Sequence, residues 1–172
     1  MSQEKTWKFF EENQLTHSAA HYLMTINELI QENGYARVTD IAKLLSITRG
    51  SCSISLQPLK KRGFVIEDHN KFLHLSDEGK RLADLIEKND ELLEILFRDC
   101  LGVDPGQAEI DSCKIEHLIS IETSVKLAHF ISFMKSGNQL VTQFLHELHK
   151  HPACSALNPK KQETTKQENV WN

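Results

Sequence analysis

The chain has 172 residues, about 40% of them hydrophobic and 26% charged, with a formal net charge of −4. That length holds one ordinary domain or two small ones. Charge interrupts every apolar stretch, which excludes a transmembrane helix; the acidic, polar start MSQEKTWKFFEENQ argues against a secretory leader, so a cytoplasmic location is expected.

The charge is unevenly spread. Residues 35–81 hold nine Lys/Arg against five Asp/Glu, whereas residues 82–137 hold five against eleven. A basic segment followed by an acidic one suits a phosphate-facing module joined to a second unit whose carboxylates favour cations. The four cysteines, Cys52, Cys100, Cys113 and Cys154, are far apart and form no CxxC pair. They are not a disulfide framework, and each reads by default as a small buried hydrophobe.

Residues 4–13 read as a short amphipathic helix carrying Trp7, Phe9 and Phe10. Residues 18–32 predict a helix, with Ser18 as its cap and Leu23, Ile26, Leu29 and Ile30 at helical spacing; Gly34 ends it. Residues 38–45 give a short helix that Thr39 can cap. After Ser46-Ile47-Thr48, a second helix over 49–63 starts at a Thr48 cap and ends in Lys60, Lys61 and Arg62 before Gly63. Two helices joined by so short a turn form a helix-turn-helix. Pro58 lies inside the second helix, where it removes a hydrogen bond and should bend the axis at a cost of about 3 kcal/mol. Two β-type segments follow, 64–67 and 71–75, around the turn Asp68-His69-Asn70. Helix, helix-turn-helix and hairpin in that order make a winged helix.

From Ser76 a long helix is expected to about Leu101, where Gly102 stops it. Pro105 opens a helix over 105–119, Ser120 caps another over 121–135, and 138–150 forms the last; 155–172 has the composition of a disordered tail. The fold class is mainly α: an N-terminal winged helix-turn-helix with a two-stranded wing, then an all-α domain.

A recognition helix presents its N-terminal residues to base edges in the major groove. Here these are Thr48, Arg49, Gly50, Ser51 and Ser53, of which Arg49 suits bidentate reading of guanine. Arg37, Thr39 and Lys71 are placed to hold phosphates. A winged helix used for protein contact alone is the competing reading.

The most chemical stretch runs from Glu109 to His117. Cys113, Glu116 and His117 stand at i, i+3 and i+4, with Glu109 four residues earlier, on one helical face. Thiolate, carboxylate and imidazole together suit a transition metal rather than magnesium or calcium. A further ligand must come from another helix; His21 is the best candidate and Met24, one turn on, a second. Spacing alone leaves a solvated polar stripe equally open. Asp90 and Glu94 form a second carboxylate pair that reads alone as a solvated face. His146, Glu147, His149, His151 and Cys154 read as flexible surface groups.

The run GYARVTDIAKLL, the LSDEG segment from Leu75 to Gly79, LGVDP from Leu101 to Pro105 and above all Cys113-Lys-Ile-Glu116-His117-Leu-Ile-Ser120 resemble the iron- and manganese-dependent repressors of the diphtheria toxin repressor and manganese transport regulator type. The likeness covers roughly residues 18–135. It implies a homodimer that binds a palindromic double-stranded DNA operator when loaded with a divalent transition metal. It implies a DNA-binding domain over 1–76, a metal-binding and dimerisation domain over 77–150 and a tail over 151–172. It places His21, Cys113, Glu116 and His117 in a main metal site, and Asp90, Glu94 and Glu109 in an ancillary one. His21 with Met24 departs from the usual ligands of the leading helix, and carboxylates stand where the ancillary site usually has histidines. Fe(II) or Mn(II) is the expected cofactor, with Zn(II) also open. Two alternatives accompany this reading: a regulator whose metal site is degenerate or only structural, and a Cys/His metal enzyme. Against the enzyme, Cys113, Glu116 and His117 share one helix, and no glycine-rich phosphate cradle or oxyanion loop is visible.

Overall fold

The computed structural model describes residues 15–151. The expected helix over 4–13, Cys154 and the tail over 155–172 lie outside the described residues. Within them the architecture is helical with one small antiparallel sheet.

Helix α1 (His17–Asn33) starts one residue earlier than the periodicity suggests, because Thr16 rather than Ser18 caps it, its hydroxyl accepting from Ala19 N at 3.2 Å. Gly34 closes the helix at φ 78°, a left-handed conformation that glycine adopts without a Cβ penalty. Helix α2 (Val38–Leu44) opens at Arg37 with no side-chain cap. Thr39 does not cap it: the residue already lies inside the first turn, and its hydroxyl donates to Asp40 instead. Helix α3 (Arg49–Lys61) is capped by Thr48, which accepts from Ser51 N at 3.1 Å. It runs on through Pro58. The carbonyl that the proline leaves unpaired belongs to Ile54, which is 73% exposed, so water can satisfy it.

The wing is strand β1 (Val65–Glu67) paired with β2 (Leu73–Leu75) in the register Val65↔Leu75 and Glu67↔Leu73. The second strand starts two residues later than expected, since Lys71 adopts φ 66° and cannot lie in an extended ladder. Asp68 folds the turn by accepting from Asn70 N and Phe72 N, both at 2.8 Å. Leu73 N donates to Ala36 O at 2.9 Å, which stitches the wing to the link between α1 and α2.

Helix α4 (Asp77–Ile95) continues as a π-helical turn (Leu96–Cys100) rather than as α-helix. Then come α5 (Pro105–Ile115), α6 (Ile121–Met134) and α7 (Gln139–Lys150). Helix α5 is shorter than its sequence pattern, so Glu116 is its C-cap and His117 lies in the turn beyond.

Two apolar clusters hold these elements. The first collects Leu23, Ile26, Ile41, Cys52, Leu56, Leu59 and Leu73, together with Ala83 and Ile86 of α4. The second gathers Leu92, Cys100 and Ile131 with Ile95, Leu96, Leu127 and Leu145. Helix α4 therefore belongs to both, and α1 and α5 both pack along it. Asn27 Nδ2 donates to Asp84 at 3.2 Å, and Asn89 Nδ2, fully buried, donates to the carbonyl of Glu116 at 2.8 Å. These polar ties fix α1 and the end of α5 against α4. Among the described residues no helix is long and apolar enough to cross a membrane.

Gly79 sits where α4 touches the wing; a Cβ there would stand 2.2 Å from Phe64 O, which already accepts from Ser76 N at 3.0 Å. That carbonyl is pinned and cannot retreat. Gly79→Ala should cost about 1–3 kcal/mol, read as a fall in thermal midpoint of roughly 2–4 °C per kcal/mol.

Candidate metal centre and DNA-reading face

Ala20, Leu23 and Ile26 are buried in the first core, which sets the rotation of α1 about its axis. Residues 17 and 21, one turn apart, then face α5. His21 Nε2 lies 3.3 Å from Cys113 Sγ across 92 residues of sequence, and 3.1 Å from His17 Nε2. One ligand atom each from His17, His21, Cys113 and Glu116 falls within 4.8 Å of the others. His117 adjoins this group, its ring centroid 5.4 Å from that of His17.

The donor types and spacing of this cluster could hold a cation. Glu116 is 1% exposed, yet its Oε1 has no hydrogen-bond partner, and neither does His117 Nδ1. Buried polar atoms left unpaired are costly, and both are of ligand types that transition metals accept. Burial, then the negative charge of Asp90 and a hydrogen bond with it, push Glu116 up to about 8. Burial also raises the Cys113 thiol, helped by Glu116, Asp90 and Glu109. His21 and His117 are both lowered, chiefly by burial and then by neighbouring imidazoles. Burial thus holds the Glu116 carboxyl and the Cys113 thiol toward their protonated forms and the His21 and His117 rings toward their neutral ones.

The remaining expected ligands are placed differently. Met24 is half-buried and packs against the first core. Asp90 accepts from Ser112 Oγ at 2.5 Å and borders Glu116, beside the four residues whose ligand atoms meet but outside them. Glu94 is paired with Arg98 one turn on, and Glu109 is exposed. Among the described residues Asp90, Glu94 and Glu109 do not gather into a second cluster like the first. His149 Nε2 donates to the Cys100 carbonyl at 3.1 Å, while His146 pairs with Glu147 at 3.3 Å. Sequence reading missed His17, although its position four residues before His21 was a usable signal. It also missed Asn89 and Ser112, which carry no pattern.

On the other face of the first domain, an open groove of about 510 Å³ runs between α3 and the wing, lined by Arg37, Thr39, Arg49, Ser53, Gln57, Lys60 and Lys71 among others. Arg49, Ser53 and Gln57 recur at four-residue spacing, so Gln57 extends the expected reading face. Thr48 and Ser51 share a hydroxyl contact of 2.9 Å at the cap. Gly50 has open space: a Cβ would meet only Thr48 Oγ1, at 3.9 Å. The Arg37 guanidinium stacks 4.5 Å from the Phe72 ring and 5.3 Å from Tyr35, which holds its charge at the groove mouth. Lys71 is tied to Glu67 at 3.0 Å, and Lys60 pairs with the same carboxylate.

Comparison with known proteins sets this geometry in a family. The description "Iron dependent repressor, N-terminal DNA binding domain" matches residues 14–73, and "Iron dependent repressor, metal binding and dimerisation domain" matches residues 76–140. The HTH-type transcriptional regulator MntR of Lysinibacillus sphaericus (strain C3-41) is 32% identical over 126 residues, 73% of this chain and 90% of that protein. The chain belongs to the iron-dependent repressor family. Like other iron-dependent repressors it has a DNA-binding domain and a metal-binding and dimerisation domain, and a divalent metal is the family's effector. The relatives are transcriptional regulators rather than enzymes. The IdeR structure from T. acidophilum has a TM-score of 0.56 at 24% identity, covering 69% of this chain and 55% of that one. The manganese regulator SloR gives 0.59 at 21%, covering 66% and 53%. These likenesses carry the fold, and the chain spans about half the length of those two proteins.

The raised Glu116 fixes the sign of one pH effect. Between about 4.5, its ordinary value, and about 8 the folded chain holds a proton that the unfolded chain has lost. The Glu116 contribution is full below that window and is lost as pH rises through it. In chelator-treated protein, Glu116→Gln should melt higher than the unsubstituted chain at pH 8.5 and lose that advantage at pH 4.5. Parallel pH profiles of melting temperature for the two proteins would contradict the assignment.

Proposed function

We propose that this chain is a homodimeric repressor of metal-homeostasis genes that binds a palindromic operator when His21, Cys113, Glu116 and His117 hold one divalent transition metal ion. The observation that carries this reading is the 3.3 Å approach of His21 Nε2 to Cys113 Sγ. It joins the DNA-binding domain to the metal-binding domain at one point. The bound ion would supply the positive charge that lets thiolate and carboxylate coexist there. His21 would then anchor α1, and with it the recognition helix, against α5. Fixing that angle in both protomers sets the spacing of two α3 helices to successive major grooves. Asp90 acts as an outer partner that holds the Glu116 carboxyl in place. A DNA ligand of this kind assigns the protein to the cytoplasm.

Ile121, Val125, Phe133, Leu140 and Phe144 on α6 and α7 are between 49% and 73% exposed. So much apolar surface favours burial against a second copy. Arg49 reads bases from the start of α3, and Arg37 holds a phosphate.

Two measurements test the reading. In gel shifts with the protein's own promoter region, Fe(II), Mn(II) or Zn(II) should strengthen binding, and His117→Ala should abolish that stimulation while the circular dichroism stays helical. Metal dependence that survives in His117→Ala overturns the mechanism. Arg49→Ala should weaken operator binding by about 1–3 kcal/mol and relax base preference at one position of each half-site. A uniform loss on all sequences would make Arg49 a phosphate contact instead.

A further inference from the structure

We propose that His17 is a ligand of the same centre, so that α1 grips the ion with two imidazoles and the site favours borderline cations, Zn(II) and Fe(II), over Mn(II). This rests on the metal-gated reading above and adds to it a residue and a preference.

His17 Nε2 and His21 Nε2 lie 3.1 Å apart, and His21 Nε2 also faces Cys113 Sγ at 3.3 Å. A neutral imidazole offers one lone pair and one N–H on different nitrogens. His21 Nε2 can therefore donate to one neighbour or accept from one, and it cannot do both. Three electron-rich atoms meeting around one point, with too few protons between them, are what a cation resolves.

Position supports the same role. Thr16 caps α1 through its hydroxyl, and Ala20 N donates to Thr16 O at 3.0 Å, so the first turn is set in helical geometry at His17. His17 and His21 meet edge to face with ring centroids 4.4 Å apart. His17 is exposed, so core packing does not explain its direction. It points at the thiol and acid of α5.

The donor set then decides the class of ion. With His117 counted, three imidazoles, a thiolate and a single carboxylate make a nitrogen- and sulfur-rich site. Imidazole and thiolate are the ligands Zn(II) takes most readily. Mn(II) prefers oxygen donors, and this set offers one. Any site binds zinc more tightly than manganese to some degree. The specific claim is that His17 widens that gap.

Co(II) is the probe, added to the full chain, with affinities for Zn(II) and Mn(II) measured by indicator competition. The unsubstituted protein should show a thiolate-to-cobalt charge-transfer band together with visible d–d bands. His17→Ala should keep the thiolate band and change the position and intensity of the visible bands, because a donor leaves the cobalt. Its Zn(II) affinity should drop roughly tenfold or more, a loss that even an outer-sphere partner of a ligand causes, and its Mn(II) affinity by a smaller factor. His17→Cys, which puts a thiolate at that position, should strengthen the thiolate-to-cobalt charge-transfer band, which a merely structural role for residue 17 would not do. If His17→Ala leaves spectra and affinities unchanged, the inference falls while the metal-gated reading stands. If Cys113→Ser leaves the ultraviolet band of the protein unchanged, that underlying reading fails as well.

Discussion

A side-chain meeting between α1 and α5 holds this molecule's two functions together. His21 approaches Cys113 at 3.3 Å because both helices lie along α4. Helix α4 contributes Ala83 and Ile86 to one core and Leu92 to the other. It acts as a beam, and the two domains are not separately packed bodies joined by a linker. Rotation of α1 by burial of Ala20 and Leu23, and anchoring of Glu116 by Asn89, do the rest. Remove either constraint and the ligand atoms no longer share a point.

The electrostatics of the centre follow from burial. Burial beside Asp90 pushes the Glu116 carboxyl up to about 8, and burial raises the neighbouring thiol as well. Both groups of the candidate centre are thus held toward their proton-bearing forms. An incoming cation must displace those protons, which couples loading to pH as well as to metal concentration.

Much of this was legible in the residues. The Leu23, Ile26 and Leu29 spacing fixed α1, the short break at Ser46-Ile47-Thr48 gave the helix-turn-helix, and Cys113, Glu116 and His117 stood at ligand spacing. His21 was legible as the best candidate ligand of the leading helix, at the position where the family resemblance places one. Other features could not be read. The end of α5 at Ile115 depends on Asn89 holding the Glu116 carbonyl, which is a tertiary contact. Asp90 looked like part of a separate acidic face, yet its side chain turns to Ser112 and Glu116, and only packing decides that. Pro58 looked disruptive and is accommodated because the carbonyl it frees belongs to an exposed residue.

The π-helical turn at Leu96–Cys100 has a geometric effect on everything after it. Leu101 N reaches back five residues to Leu96 O at 3.0 Å, one residue more than an α-turn takes. Each α-helical residue advances about 100° around the axis, so that extra residue re-phases the helix by roughly a quarter turn. Cys100 swings inward beside Ile131, and its carbonyl is presented to the imidazole of α7. That one local change of helical pitch thus decides which side chain and which carbonyl of the last turn meet α6 and α7.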